Sequence, residues 1–238
     1  MRLPVGAANR VRRDVSALVP APGCARDRGR VIHEVDEALR RLVRDEALRG
    51  SDLEVAFDAP TKDWAARRNA PTVNIYLYDI REDMRRRQRG MLNEYDAQGK
   101  VAARHVPPRH MKLSYLVTAW TQRPEDEHRL LSDLLIGFLK YEAVPPGLLS
   151  GTLDELQLPV PMTVALPPPE DRAFADVWSA LGGELKPSLD VVVSAPISSG
   201  RRFEAGPPAK EGVQLRSGEE RVRHDVSEDG VAMRRVAR

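Results

Sequence analysis

Apolar positions along the chain recur at two spacings, and the changes from one to the other divide it into elements. Val31, Val35, Leu39 and Leu42, with Ala38 beside them, lie three and four residues apart, which predicts a helix over 31–48. Glu34, Asp36 and Glu37 come early in it and Arg40, Arg41 and Arg44 late, an order that complements the helix dipole. Gly50 and Ser51 end it, and Leu53, Val55 and Phe57 then alternate with polar or small residues as a half-buried strand does. Residues 58–71, with Pro60 and Pro71, read as a loop. Val73–Ile80 predicts a strong strand, with Val73, Ile75 and Leu77 on one face and Tyr76 and Tyr78 on the other, so both faces should be covered. Met91–Tyr95 and Lys100–His105 flank Asp96-Ala-Gln-Gly99 and predict a β-hairpin, which its polarity should keep out of the core.

The longest strand pattern is Met111–Thr121, where Met111, Leu113, Tyr115, Val117 and Ala119 share a face. Pro124 and the acids after it open a helix, and Leu130, Leu131, Leu134, Leu135, Phe138 and Leu139 predict that it is the most buried one. Pro145, Pro146 and Gly147 stop it, and 147–158 read as a loop around a short turn. Val160, Met162, Val164 and Leu166 alternate as a strand, and Glu170 and Asp171 mark a further helix start. The stretch Asp176–Pro196 is the clearest unit: a short helix bearing Val177, Trp178 and Leu181, a stop at Gly182-Gly183, Pro187 to exclude more helix, and a β-branched run from Leu189 through Val193.

These elements predict an α/β (α+β) fold, a single mixed sheet of about four to five core strands packed by two to three helices, with a β-hairpin at about 89–106 projecting from it. Residues 31–197 form this domain. Residues 1–30 read as a basic disordered tail and 198–238 as a polar C-terminal extension, in which Val213–Ser217 and Arg221–Val226 suggest a weak hairpin or a mobile tail.

Charge sharpens that division. Residues 1–30 carry seven Lys/Arg against two Asp/Glu, 201–238 nine against seven, and 31–200 twenty-one against twenty-six. The excess of base therefore sits at the ends, and the mildly acidic body argues against a nucleic-acid-binding core. Binding of nucleic acid or an acidic partner through the basic tail is the competing reading of residues 1–30. No apolar run is long enough to span a membrane, the N-terminus lacks a secretory pattern, and a lone Cys24 fits a reducing compartment, so a cytoplasmic protein is expected.

The search for chemistry finds a scaffold without a recognisable active site. His33, His105, His110, His128 and His224 make no metal-ligand spacing, and no nucleophile elbow, phosphate loop or dinucleotide fingerprint is present. No cofactor is expected. Two stretches stand out as surfaces instead. Arg81, Arg85, Arg86, Arg87 and Arg89 form an arginine run that reads either as a solvated turn or as a docking patch for an acidic surface. Trp64, beside Lys62, Arg67 and Arg68, reads either as an interface anchor or as a loop residue tucked over the core edge. Tyr95 and Lys100 complete the candidate interface residues, as contacts offered by the hairpin.

Three segments taken together resemble a known family. They are Ala70-Pro-Thr-Val-Asn-Ile-Tyr-Leu-Tyr-Asp-Ile80 with its arginines, Leu113-Ser-Tyr-Leu-Val-Thr-Ala-Trp120 with the acidic start and Leu-rich helix after it, and Trp178…Gly183…Lys186-Pro-Ser-Leu189. Their order and spacing over roughly residues 31–197 are similar to the N-terminal domain of the cap, or tail-terminator, protein of extracellular phage-tail-like contractile injection systems. The resemblance implies an α/β structural subunit of a six-fold ring on the baseplate-distal end of the inner tube. Such a ring contacts the last sheath layer, stops polymerisation and anchors the sheath, without catalysis or cofactor. A baseplate or sheath-adaptor subunit of the same kind of particle is the alternative.

Overall fold

The structure, a computed structural model, describes residues 30–47, 53–167, 174–206, 213–217, 220–227 and 230–235. The expected basic tail and the Glu170–Asp171 helix start lie outside the described residues. The chain divides into two units: Met1–Leu92 with Val106–Arg201, and Asn93–His105 with Arg202–Arg238.

The first unit is built on a five-stranded sheet with strands β1 (Glu54–Ala56), β2 (Thr72–Glu82), β5 (Arg109–Trp120), β7 (Leu189–Ile197) and β6 (Met162–Val164), in that spatial order. β1 pairs parallel to β2 and all other pairs are antiparallel, so the sheet is mixed. Side chains alternate across a strand, and the register stacks like with like: Val73 opposite Ala119, Ile75 opposite Val117, Leu113 opposite Val193 and Tyr115 opposite Val191. On that face lie α1 (Val31–Leu42), which continues as a π-type turn through Ala47, and α3 (Pro124–Leu139). Val35, Ala38, Leu39 and Leu42 of α1 and Leu131, Leu134 and Phe138 of α3 close the core with the sheet. Tyr115 reaches across this core, where its hydroxyl donates to Asp36 Oδ1 at 2.8 Å. Burial raises the Asp36 carboxyl above its usual range, and burial with the neighbouring Asp36 raises the Tyr115 phenol.

The opposite face of the sheet is also covered. Thr72, Asn74, Leu116 and Thr118 are fully buried there. Residues 58–71 are more than the expected loop: Thr61 caps a short helix, α2 (Lys62–Ala66), its side chain accepting from Trp64 N–H at 3.2 Å. Trp64 packs edge-on against Trp120, ring centroids 5.3 Å apart. In α5 (Phe174–Ala180) Trp178 lies against Gly183, where an added Cβ would meet its ring at 3.2 Å. The stop expected at Gly182 is there, with φ of 65°.

α3 differs from expectation on its outer side. Leu131, Leu134 and Phe138 are buried, but Ile136 and Leu139 are more than half exposed, and α1 buries more of its length. The apolar arc of α3 is wider than the surface offered by the sheet and the turn after α1. A second short helix, α4 (Gly151–Glu155), replaces the turn expected within 147–158. The strand expected from Val160 to Leu166 stops at Val164, because Ala165 has φ of 50° and Leu166 turns outward.

The second unit contains the expected hairpin, β3 (Leu92–Tyr95) and β4 (Val101–His105), closed by Asp96, whose carboxylate accepts from the N–H groups of Gln98 and Lys100. A strand the sequence did not signal, β8 (Arg202–Glu204), pairs antiparallel with β4 and completes a three-stranded sheet. Beyond it β9 (Val213–Ser217), β10 (Glu220–Ser227) and β11 (Gly230–Arg235) form an antiparallel meander, one strand more than the hairpin expected there.

Candidate functional site

The antiparallel register of β2 and β5 determines which candidate residues come together. A β-bulge at Tyr78 separates the pairs Leu77–Tyr115 and Asp79–Ser114. An inserted residue shifts the strand so that every later side chain changes face. Past the bulge Ile80 therefore continues the core-side row with Leu113, while Asp79 and Arg81 take the outer face with Ser114 and Lys112. Asp83 follows on that outer face, its N–H donating to the His110 carbonyl at 2.7 Å.

At Asp83 the chain leaves the sheet in a single 3₁₀ turn, Met84–Arg86, in which the Arg85 N–H donates to Asp83 Oδ1 at 3.3 Å. The arginine run is thus an ordered turn at the end of the longest strand pair. Its cations are held by acids set back toward the sheet. Arg81 reaches Asp79 at 3.2 Å, Arg86 reaches Asp83 at 3.5 Å and Arg87 reaches Glu82 at 3.6 Å. Arg85 and Arg89 have no carboxylate partner among the described residues and stand in solvent.

Two further cations join them from β5. Arg109 lies 3.9 Å from Glu82, and Lys112 lies 4.0 Å from Asp83. Sequence reading missed both, because only strand register brings residues 109 and 112 beside residues 81–87. The signal for Lys112 was present in the alternation of β5, where His110, Lys112 and Ser114 fall on the face opposite Leu113. Among the described residues seven cations thus gather with three acids at this end of the strand pair, and Met84, 62 % exposed, lies among them. Such a surface attracts carboxylates from solution and offers arginines for bidentate contacts.

His110 belongs to the same corner. It is buried, its Nδ1 has no hydrogen-bond partner among the described residues, and burial with nearby Arg86 lowers its pKa, so the ring stays neutral at pH 7.

The structure parts Trp64, Arg67 and Arg68 from this turn. Trp64 sits at the far end of β2, beside the Thr72–Trp120 pair, ten residues or roughly 30 Å of strand away. It is 6 % exposed, and its ring is packed inside the subunit. Arg68 stacks over that ring at 4.4 Å and is paired with Glu54 at 2.6 Å and Asp58 at 3.6 Å; Arg67 Nε donates to the Asp63 carbonyl. An open cleft beside them, about 640 Å³, is lined by Arg68, Arg123, Arg129, Trp120 and Leu130. Its charge is largely answered locally, since Arg129 also pairs with Asp126 at 3.0 Å. Tyr95 and Lys100 lie in the second unit, both exposed. No cluster of His, Cys, Asp and Glu suited to a metal ion occurs among the described residues.

Comparison with known proteins gives this architecture a context. The model of the family described as Pvc16 N-terminal domain matches residues 34–211 of the 238. The fold is similar to that of the sheath/tube terminator, in its extended state, of the extracellular contractile injection system PVC, with a TM-score of 0.57 and 21% identity over 79% of this chain. It is also similar to the tube-terminating cap of the anti-feeding prophage, with a TM-score of 0.51 and 20% identity over 76% of this chain. The chain spans 64% and 60% of those two proteins, and at such identity the likeness is one of fold. Comparison with curated proteins returned no match. The three sequence segments that carried the resemblance fall on β2, on β5 with α3, and on α5 with β7, the middle of the main sheet and its cover.

Proposed function

The chain belongs to the Pvc16 N-terminal domain family, and from that premise we propose that it is a structural cap which ends the inner tube and sheath of a contractile injection system. The observation that carries the reading is the family match over residues 34–211, joined by a fold shared with two terminating caps. In this reading copies of the chain form a ring, six-fold as the resemblance implies, on the baseplate-distal end. The ring meets the last tube and sheath subunits, halts their polymerisation and anchors the sheath while it contracts. The role calls for shape and adhesion rather than catalysis, and the particle assembles in the cytoplasm before any release.

The arginine turn is the proposed contact. Arg85 and Arg89 have no acid of their own among the described residues, and Met84 supplies an apolar contact in their midst. An acidic partner surface would replace their water with charge-assisted hydrogen bonds. The hairpin residues Tyr95 and Lys100 are proposed as a second contact on the other unit. Double reversal, Arg85→Glu and Arg89→Glu, tests the first contact. Co-purification of the variant with sheathed particles should be lost while its circular dichroism stays that of the wild type. Wild-type recovery on particles would remove the turn from the interface.

A further inference from the structure

The arginine turn is joined to the sheet through one buried carboxylate that the capping reading leaves without a role. Asp83 is 5 % exposed, and its two oxygens face different elements. Oδ1 accepts the N–H of Arg85 inside the turn. Oδ2 accepts the hydroxyl of Ser194, 3.0 Å away on β7, two strands across the sheet from β2. Ser194 is itself buried, and its own N–H is committed to the Pro161 carbonyl, which leaves the hydroxyl to serve Asp83. The bulge at Tyr78 makes this meeting possible: without the inserted residue Asp83 would fall on the core-side row, facing away from Ser194.

A buried carboxylate must be compensated by hydrogen bonds and by opposite charge. The groups facing this one are Ser194 on β7, His110 and Lys112 on β5, and Arg85 and Arg86 of the turn. His110 is held neutral by its burial, so the cationic partners are Arg86 and Lys112. Opening the turn would strip Asp83 of the Arg85 N–H and the Arg86 guanidinium together.

We infer that Asp83 and Ser194 are positioning residues, a latch that holds the Met84–Arg86 turn in one conformation against the outer face of the sheet. Pre-ordering matters for docking because a segment fixed beforehand loses less entropy when its partner arrives. That consequence rests on the capping reading; the latch itself does not.

Limited trypsin digestion of the full chain reads the latch directly, since Arg85, Arg86, Arg87 and Arg89 are themselves cleavage points. Fragments identified by mass spectrometry separate cuts in the turn from cuts elsewhere. Where closing is faster than cutting, cleavage follows the population of the open form. Ser194→Ala removes a hydrogen bond to a charged group and should speed cleavage in the turn roughly tenfold or more. Asp83→Asn should speed it at least as much. Ser194→Thr keeps the hydroxyl and should be cut at the wild-type rate, a rescue that a mere packing role for residue 194 would not give. Cleavage at other sites should change little, and the thermal midpoint should fall by only a few degrees.

A wild-type rate in Ser194→Ala would overturn the latch. So would a Ser194→Thr protein cut as fast as Ser194→Ala, or an equal acceleration at all sites. Should Asp83→Asn fail to fold, the Ser194 pair still decides. No partner is present in the digest, so the two ideas fail separately. A loosened turn that still binds particles would count against the docking role alone, and an unchanged turn whose charge reversal abolishes binding would count against the latch alone.

Discussion

Glu34 shows how one side chain can join two parts of the chain distant in sequence. It lies on the apolar stripe of α1, 6 % exposed, and its carboxylate accepts the N–H groups of Thr152 and Leu153 at 3.1 and 2.9 Å. These are orphan donors at the start of α4, so Glu34 caps a helix 118 residues further along. Gly151 makes the approach possible twice over. Its φ of 58° suits glycine, and a Cβ there would lie 2.6 Å from Glu34 Oε1. Gly151→Ala should therefore cost about 2 to 3 kcal/mol in urea unfolding. Glu34→Ala, which orphans both donors, should cost a similar amount. The double variant should lose less than the sum, because truncating the Glu34 side chain leaves room for the new Cβ. Strict additivity would show that the two residues do not meet. The sequence placed Glu34 among acids that favour a helix start, although its spacing from Val31 and Ala38 already put it on the buried face. What it could not supply was the partner, since no local pattern links residue 34 to residue 151.

At the scale of elements, local patterns were legible and tertiary additions were not. The β5 row from Met111 to Ala119, the α1 stripe and the helix–glycine–strand unit at 174–197 all follow from periodicity, because each buries one face against a continuous core. α2 was missed: five residues give no period to read, and its only local mark is the Thr61 cap three residues before Trp64. β8 was missed for a similar reason, being three exposed residues whose pairing depends on β4. What ties it down is Glu94, which takes Arg202 Nε at 3.0 Å and His105 Nε2 at 2.7 Å and so links all three strands of that sheet. Hydrogen bonds from Arg202 first, then from His105, hold the Glu94 carboxyl below its usual value of 4.5. A depressed folded pKa gives stability that is present above the unfolded value and lost as pH falls through the folded one. Amide exchange in Arg202–Glu204 should accordingly be steady near neutrality, relative to intrinsic rates, and rise as pH drops below about 4.5. Glu94→Gln should show the faster exchange already at neutral pH. An acid profile identical in the two proteins would mean that Glu94 does not hold β8.

Over the whole molecule, a two-sided sheet places its special features at its ends. The first unit buries one sheet face under α1 and α3 and covers the other with the tryptophan-bearing segments, which leaves the ends of the strands as the sites where chain can reach outward. At one end Trp64 and Trp120 are locked together; at the other the arginine turn stands on its buried Asp83. Sequence reading picked out both stretches but could not tell which was packed inward, because an aromatic among cations looks the same in a core edge and in an interface. The docking assignment predicts a division of effects. Charge reversal at Arg85 and Arg89 should weaken attachment without lowering stability, whereas the Glu34 and Gly151 changes should lower stability and affect attachment only through it.

The central claim, that the chain ends the tube and sheath, is tested most directly by negative-stain imaging of particles from cells that lack its gene. The account predicts sheathed tubes that are missing, unstable or of uncontrolled length, with uniform particles restored when the protein is supplied again. Contractile particles of normal, uniform length in its absence would contradict it.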